Sequence, residues 1–436
     1  MQSAMTSLLL AVALSASQQP AAQRLSFIED DYVAALALAK KGKVPLFVDA
    51  WAPWCHTCVF MREHVFNQPE LIKYGQRYVY LSLDTEKDKS AEFLKKFPVE
   101  VWPTLLIIDP STETVALKWL GSLTTEQFGK LLDDGDRAVK EQKGQTPEAL
   151  LAQADRLRAK GDFDAAVKSF HAALDKGGPQ WPRRARATES LLDTLYTAKN
   201  WPDCAKTAVS DAPKLPKGPS YLNAVNWGLN CATHADEKAP WRTDTLEQLY
   251  ALGLDAVTAP GVLADDRSGM YESLVEYLGD KGDKAGAQAL AEKWLGFLEG
   301  EAKKAKTPAA RAVFDPHRVN AALALGKPER TLPALLQSEK DLPDDYNPPA
   351  REALLYLAMG KLDDALAACD RALSKVYGPR KIRVLETKAQ VLSKKGDAAG
   401  QKKTMQEALD YAKALPVGQR NDKNIARLTD AVAKLK

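Results

Sequence analysis

Between about Ser26 and Val139 the chain alternates short apolar runs with amphipathic stretches, and the spacing of apolar positions changes with them. Asp30 to Lys41 sets Tyr32, Leu36 and Ala39 on one helical face, whereas Val44 to Ala50 is an unbroken run of strand length. A helix is predicted over Cys58 to Phe66, a strand over Tyr78 to Leu83 and a helix over Ser90 to Phe97. Thr104 to Ile108 and Val115 to Trp119 predict two further strands, and Thr124 to Val139 a closing helix. This order implies an α/β domain, a central mixed sheet with helices on both faces.

Around Val139 to Pro147 the composition turns polar, with Gly144, Gln145 and Pro147, and the strand signals stop. A different pattern follows. Gly161-Asp162-Phe163 leads into Ala165, Ala166, Val167, Phe170, Ala173 and Leu174, and looser copies begin at Gly282-Asp283, Gly360 and Gly396-Asp397. Each copy is a tight turn followed by small and large residues at helical spacing, the pattern that lets neighbouring helix pairs interlock. It resembles the tetratricopeptide repeat and predicts an all-α helical-repeat solenoid, degenerate in its middle, where the register drifts. The expected organisation is a signal peptide and flexible N-terminus over 1–23 and an α/β domain over 24–141. A linker over 142–147 and a solenoid over 148–436 follow. A fragment from about Arg24 to Glu141 is expected to fold alone.

Composition narrows the partners. Sixty basic against 57 acidic side chains leave a formal charge of +3, so neither nucleic acid nor an acidic membrane surface is indicated. The run Leu8 to Leu14, followed by Ser15, Ala16 and Ser17, reads as a secretory signal, although the first basic residue is Arg24. That run is too short to span a bilayer, and no later stretch is long and apolar enough. The expected location is therefore periplasmic or secreted. Of the five cysteines, Cys204 and Cys231 can pair in an oxidising compartment or stay as buried thiols, and Cys369 is left alone.

The candidate chemistry lies in Val48-Asp49-Ala50-Trp51-Ala52-Pro53-Trp54-Cys55-His56-Thr57-Cys58, where a buried strand breaks into a Cys-x-x-Cys at a helix start. Zinc would need a second pair of ligands at suitable spacing, and haem attachment a His where Val59 stands, so dithiol redox chemistry remains. Cys55, exposed at the helix N-terminus beside His56, is the expected nucleophile, because the dipole and a neighbouring imidazolium favour the thiolate. Cys58, a turn further in, resolves the mixed disulfide. Asp49, set in an apolar strand, is expected to lie buried beneath the cysteines with a raised pKa, suited to accepting the Cys58 proton. A core Asp satisfied by backbone donors is the structural alternative.

These residues, with Pro103 and Gly121, resemble the thioredoxin family. The stretches Val65 to Leu71, Leu81 to Thr85 and Trp102 to Leu106 are most similar within it to the carboxy-terminal domain of the disulfide reductase DsbD. The resemblance implies catalysis by Cys55, Cys58 and Asp49, and a client site around Trp54, His56, Trp102 and a cis Pro103. A bulky Trp102 before the proline departs from the family pattern and either adds an aromatic contact or narrows access. His56 would stabilise the reduced form and make the disulfide more oxidising, whereas the DsbD resemblance favours electron donation, so the direction of flow stays open.

No cofactor is implied. His64, His171, His234 and His317 share no spacing that would make a metal site, and Trp181, Trp201, Trp227, Trp241 and Trp294 read as fillers between solenoid helices. The expected partners are thiol- or disulfide-containing client proteins, an electron donor or acceptor protein, and a peptide or protein on the solenoid. The rival expectation is a repeat-based binding or assembly scaffold in which the thioredoxin-like module is ancillary.

Overall fold

In the computed structural model, which describes residues 24–140 and 144–435, the first half runs β1 (Phe27–Glu29), α1 (Tyr32–Gly42), β2 (Leu46–Trp51), α2 (His56–His64) and β3 (Val79–Asp84). It continues with α3 (Ala91–Lys96), β4 (Thr104–Asp109), β5 (Thr114–Leu120) and α4 (Thr125–Val139). The strand order is β1-β3-β2-β4-β5, parallel among the first three and antiparallel from β2 to β5. β2 is central, which is why its run is apolar on both faces. Leu46 and Val48 pack with Leu36, Ala39 and Phe93, while Phe47 packs on the opposite face with Met61, Phe128 and Leu131. By the two-residue period of a strand, Asp49 shares the Phe47 face, the one covered by α2 and α4.

Two details of these elements differ from the sequence reading. The three-residue β1 is too short to carry a period and was not foreseen. α2 begins at His56, with Cys55 as its N-cap, so both cysteines belong to the first turn. The signal peptide expected over 1–23 lies outside the described residues.

Among the described residues, sixteen α-helices follow between Pro147 and Lys434. The turns found in the sequence form the helix-pair junctions: Gly161, Gly282, Gly360 and Gly396 have φ of 81°, 80°, 72° and 81°. Glycine is the residue that adopts this left-handed backbone without strain. After three of them Asp162, Asp283 and Asp397 cap the next helix, each accepting from the backbone N–H three residues on. Cys204 and Cys231 form a disulfide inside the stack, and Cys369 is a buried free thiol.

The two parts of the chain pack on each other. Phe60 of α2 is buried in the solenoid's main apolar cluster, and Ala152 of the first solenoid helix is buried in the domain's own. That helix runs along the edge strand β5, with the Arg158 guanidinium donating to the Lys118 carbonyl. No helix among the described residues is long and apolar enough to cross a membrane.

Candidate active site

Cys55 and Cys58 are joined by a disulfide with Cα atoms 5.3 Å apart, and the Cys58 amide donates to Cys55 Sγ at 3.1 Å. A backbone N–H aimed at this sulfur from the start of a helix stabilises negative charge there when the bond is open. Trp51, Trp54 and Trp102 pack around the pair. Trp54 and Trp102 meet edge to face at 5.1 Å, and the Trp102 indole donates to Thr85 Oγ1 at 2.8 Å. The Trp102-Pro103 bond is cis.

The expectation of an exposed Cys55 does not hold. Cys55 is 5% exposed and Cys58 fully buried; Trp51, Trp54 and Trp102 pack on them, and the solenoid grips the residues on either side. Asn347 Nδ2 donates to the Pro53 carbonyl at 3.1 Å. The Arg380 guanidinium lies over the Trp54 ring at 5.0 Å, and Glu86 accepts both the Trp54 indole at 2.8 Å and the Arg380 amide at 2.6 Å. Tyr377 donates to Asp84 at 2.6 Å, and Gln419 Nε2 reaches the carbonyls of Thr85 and Lys87, both at 2.9 Å.

Two clefts flank the dithiol. One, of about 550 Å3, lies between Trp54, Trp102 and Glu86 on one wall and Arg380, Arg383 and Gln419 on the other. The second, of about 390 Å3, runs from His56, Thr57 and Trp102 to the solenoid side chains Asp265, Glu272 and His317.

Asp49 is 1% exposed, and neither carboxylate oxygen has a hydrogen-bond partner. Burial pushes its pKa up to about 7, with Arg62 pulling down and Glu29 pushing up from the same side. The core-Asp alternative required backbone donors, and none reaches it. Asp49 also lines a third cleft with Arg62 and Glu29, through which a proton can leave.

His56 faces the solenoid. Its Nδ1 lies 2.7 Å from Asp265 Oδ1 and 3.0 Å from His317 Nε2, and Thr57 donates to Asp265 Oδ2 at 2.6 Å. Burial opposes charge on His56, but the Asp265 carboxylate outweighs it and raises the imidazole pKa. Burial alone would raise Asp265, yet the charge and hydrogen bonds of His56 and His317 hold it well below the usual range. Burial and the His56 charge lower His317. Sequence reasoning missed Asp265 and passed over His317. A local signal existed only for Asp265-Asp266, as first-turn acids of the helix Ala264–Asp280.

Residues 32–136 match the family described as Thioredoxin-like domain, and residues 151–219 and 350–423 match Tetratricopeptide repeat. The chain is 28% identical over 119 residues to the chloroplastic thioredoxin-like protein CITRX of Arabidopsis thaliana, covering 26% of this chain and 63% of that protein. It is 29% identical over 80 residues to the thiol:disulfide interchange protein DsbD of Vibrio vulnificus, covering 17% of this chain and 14% of that protein. The chain thus spans less than two thirds of the length of either relative. A solved tetratricopeptide repeat protein from Parabacteroides merdae aligns with 67% of this chain and 100% of its own, at 14% identity and a TM-score of 0.43. The stretch between the two repeat matches is the one whose register drifts in the sequence. The chain therefore carries a thioredoxin-like domain followed by tetratricopeptide repeats.

Proposed function

We propose that this protein is an exported thiol-disulfide oxidoreductase that exchanges disulfides with client proteins through Cys55 and Cys58. The observation that carries the reading is the N-capping Cys55 sulfur together with a buried, unpartnered Asp49, on the sheet face that α2 covers, whose pKa is pushed up to about 7. In the reducing direction, the Cys55 thiolate attacks a client disulfide; a Cys55–client bond forms, the client bond breaks, and the departing sulfur takes a proton from solvent. Cys58 then passes its proton to Asp49 and attacks Cys55 Sγ, closing the Cys55–Cys58 bond and releasing the second client thiolate. Two electrons pass to the client, and the oxidising direction is the reverse.

The cleft beside Trp54 and Trp102, walled by Arg380 and Gln419, supports client contact with both halves. A disulfide within the solenoid supports an oxidising compartment, periplasmic or extracellular. The competing scaffold reading is favoured by one observation, the coverage of Cys55. Insulin reduction with dithiothreitol as donor separates the two. Activity lost in Cys55→Ser supports the oxidoreductase, and equal rates in wild type and variant leave the scaffold. In the full chain, Cys58→Ser is expected to accumulate covalent client adducts, since the attacking sulfur is kept and the resolving one removed.

A further inference from the structure

We propose that His56, Asp265 and His317 form a binding site for a divalent transition-metal cation that ties the thioredoxin-like domain to the solenoid. The proposal does not rest on the dithiol chemistry. His56 comes from the first turn of α2, Asp265 from the helix Ala264–Asp280 and His317 from the helix Asp315–Ala324. One ligand atom from each lies within 4.8 Å of the other two.

The distances fit a common cation. His56 Nδ1 to Asp265 Oδ1 is 2.7 Å, His56 Nδ1 to His317 Nε2 is 3.0 Å, and His317 Nε2 to Asp265 Oδ1 is 3.6 Å. Nitrogen and oxygen ligands about 2.0–2.1 Å from a tetrahedral zinc stand about 3.3 Å from one another, inside that span. Protons alone serve the cluster poorly. An imidazole nitrogen carries either one hydrogen or one lone pair in the ring plane, yet Nδ1 of His56 has Asp265, His317 and, at 3.2 Å, Thr57 around it. With the hydrogen it makes one linear bond, to Asp265 or to a bare His317 Nε2; without it, a lone pair faces the carboxylate. A cation in the middle accepts all three lone pairs at once.

The surroundings point the same way. Thr57 holds the second oxygen of Asp265, leaving Oδ1 for the metal. His317 is 1% exposed, and its far nitrogen Nδ1 has no hydrogen-bond partner but lies 3.7 Å from Glu272 Oε2. A carboxylate behind a histidine is the usual outer support of a metal ligand. The adjoining cleft has five carboxylates and no Lys or Arg in its lining, so its field draws cations and leaves room for water as a fourth ligand. Two imidazoles with a carboxylate suit Zn2+ among the common divalent ions.

The test uses the oxidised full-length protein, in which the Cys55–Cys58 disulfide removes both thiols as ligands. After dialysis against a chelator, it is titrated with Zn2+ by calorimetry and with Co2+ by visible absorption. One equivalent is expected to bind, with Co2+ bands of a four-coordinate site and a Zn2+-dependent rise in melting temperature. Glu272→Gln should weaken binding about 10–100-fold, and His317→Gln by more than about 100-fold. Because His317 is buried, His56→Asn, at a partly exposed position, serves as the second ligand variant. A wild type without a saturable one-equivalent site, or a His56→Asn variant that keeps wild-type affinity, overturns the proposal.

Discussion

His56 and Asp265 stand 209 positions apart in the chain, yet Nδ1 of the first lies 2.7 Å from a carboxylate oxygen of the second. Asp265 also takes the Thr57 hydroxyl, so a single buried solenoid carboxylate grips both residues between the two cysteines. Hydrogen bonds to a charged group are worth about 1.5–3 kcal/mol each, and about 1.4 kcal/mol is a tenfold change in an equilibrium. Asp265→Asn is therefore expected to raise the alkylation rate of Cys55 in the reduced full-length protein by about tenfold or more. An unchanged rate, measured with a maleimide under pseudo-first-order conditions, would show that this grip does not control access.

A second prediction concerns Asp49. Its carboxyl titrates near 3.8 in the unfolded chain and near 7 in the folded one. Below pH 3.8 both states hold the proton, and Asp49 does not affect stability. As pH rises, the unfolded state loses the proton first, so stability falls until the folded-state pKa is passed and the penalty levels off. A gap from 3.8 to about 7 corresponds to roughly 4 kcal/mol. Asp49→Asn should gain little stability at pH 4 and most above pH 7, read from urea unfolding at several pH values. A stability difference that does not change with pH would count against an uncharged Asp49 in the folded protein.

The clasp on the β3 side offers a steric test. A Cβ on Gly418 would lie 1.9 Å from the Ala91 carbonyl oxygen, and one on Gly378, at φ +61°, 2.1 Å from that of Glu86. Both contacts are with backbone, which cannot rotate away. Gly418→Ala is expected to lower stability by about 1–3 kcal/mol, the usual effect of overpacking, and to speed Cys55 alkylation. Wild-type behaviour in both assays would mean that this segment does not hold the cover in place.

Inside the solenoid, the Cys204–Cys231 bond spans a sequence separation of 27. Loop-closure entropy for that length corresponds to about 3.5 kcal/mol, within the usual range of about 2–4. The double variant Cys204→Ala, Cys231→Ala should lose that much in non-reducing denaturation and match the wild type once both are in strong reductant. A loss that persists in reductant would assign the effect to packing of the two side chains.

The α/β half was legible because its signals are local. Leu46 to Val48 reads as a strand from its apolar run, and the glycine turns show themselves through the Asp that caps the following helix. Asp49 was legible as a buried acid for the same reason, an apolar strand on either side. The site's cover was not. Cys55 looks exposed when only its own helix is considered, yet Trp51, Trp54 and Trp102 pack on it, and Asn347, Arg380 and Gln419, far along the chain, hold Pro53, Trp54 and Thr85 around it. Asp265 and Asp266 carry the pattern of solvated first-turn acids, and His317 has no sequence neighbour that marks it. Their meeting with His56 is set by how the solenoid curves back, which a drifting repeat register does not encode in any short window.

Gln419 reaches back 334 positions to the Thr85 carbonyl, and this sets a timetable as well as a shape. At about 5–20 residues per second, a ribosome delivers a stretch of that length in roughly 20 to 70 seconds. Helix formation and the docking of local pairs finish far sooner. For most of its synthesis the nascent chain thus holds a formed Cys-x-x-Cys without the residues that shield it. The dithiol is open to small oxidants and reductants before the last repeats arrive, and in the finished molecule the clefts beside Trp54 and His56 are the approaches left to it.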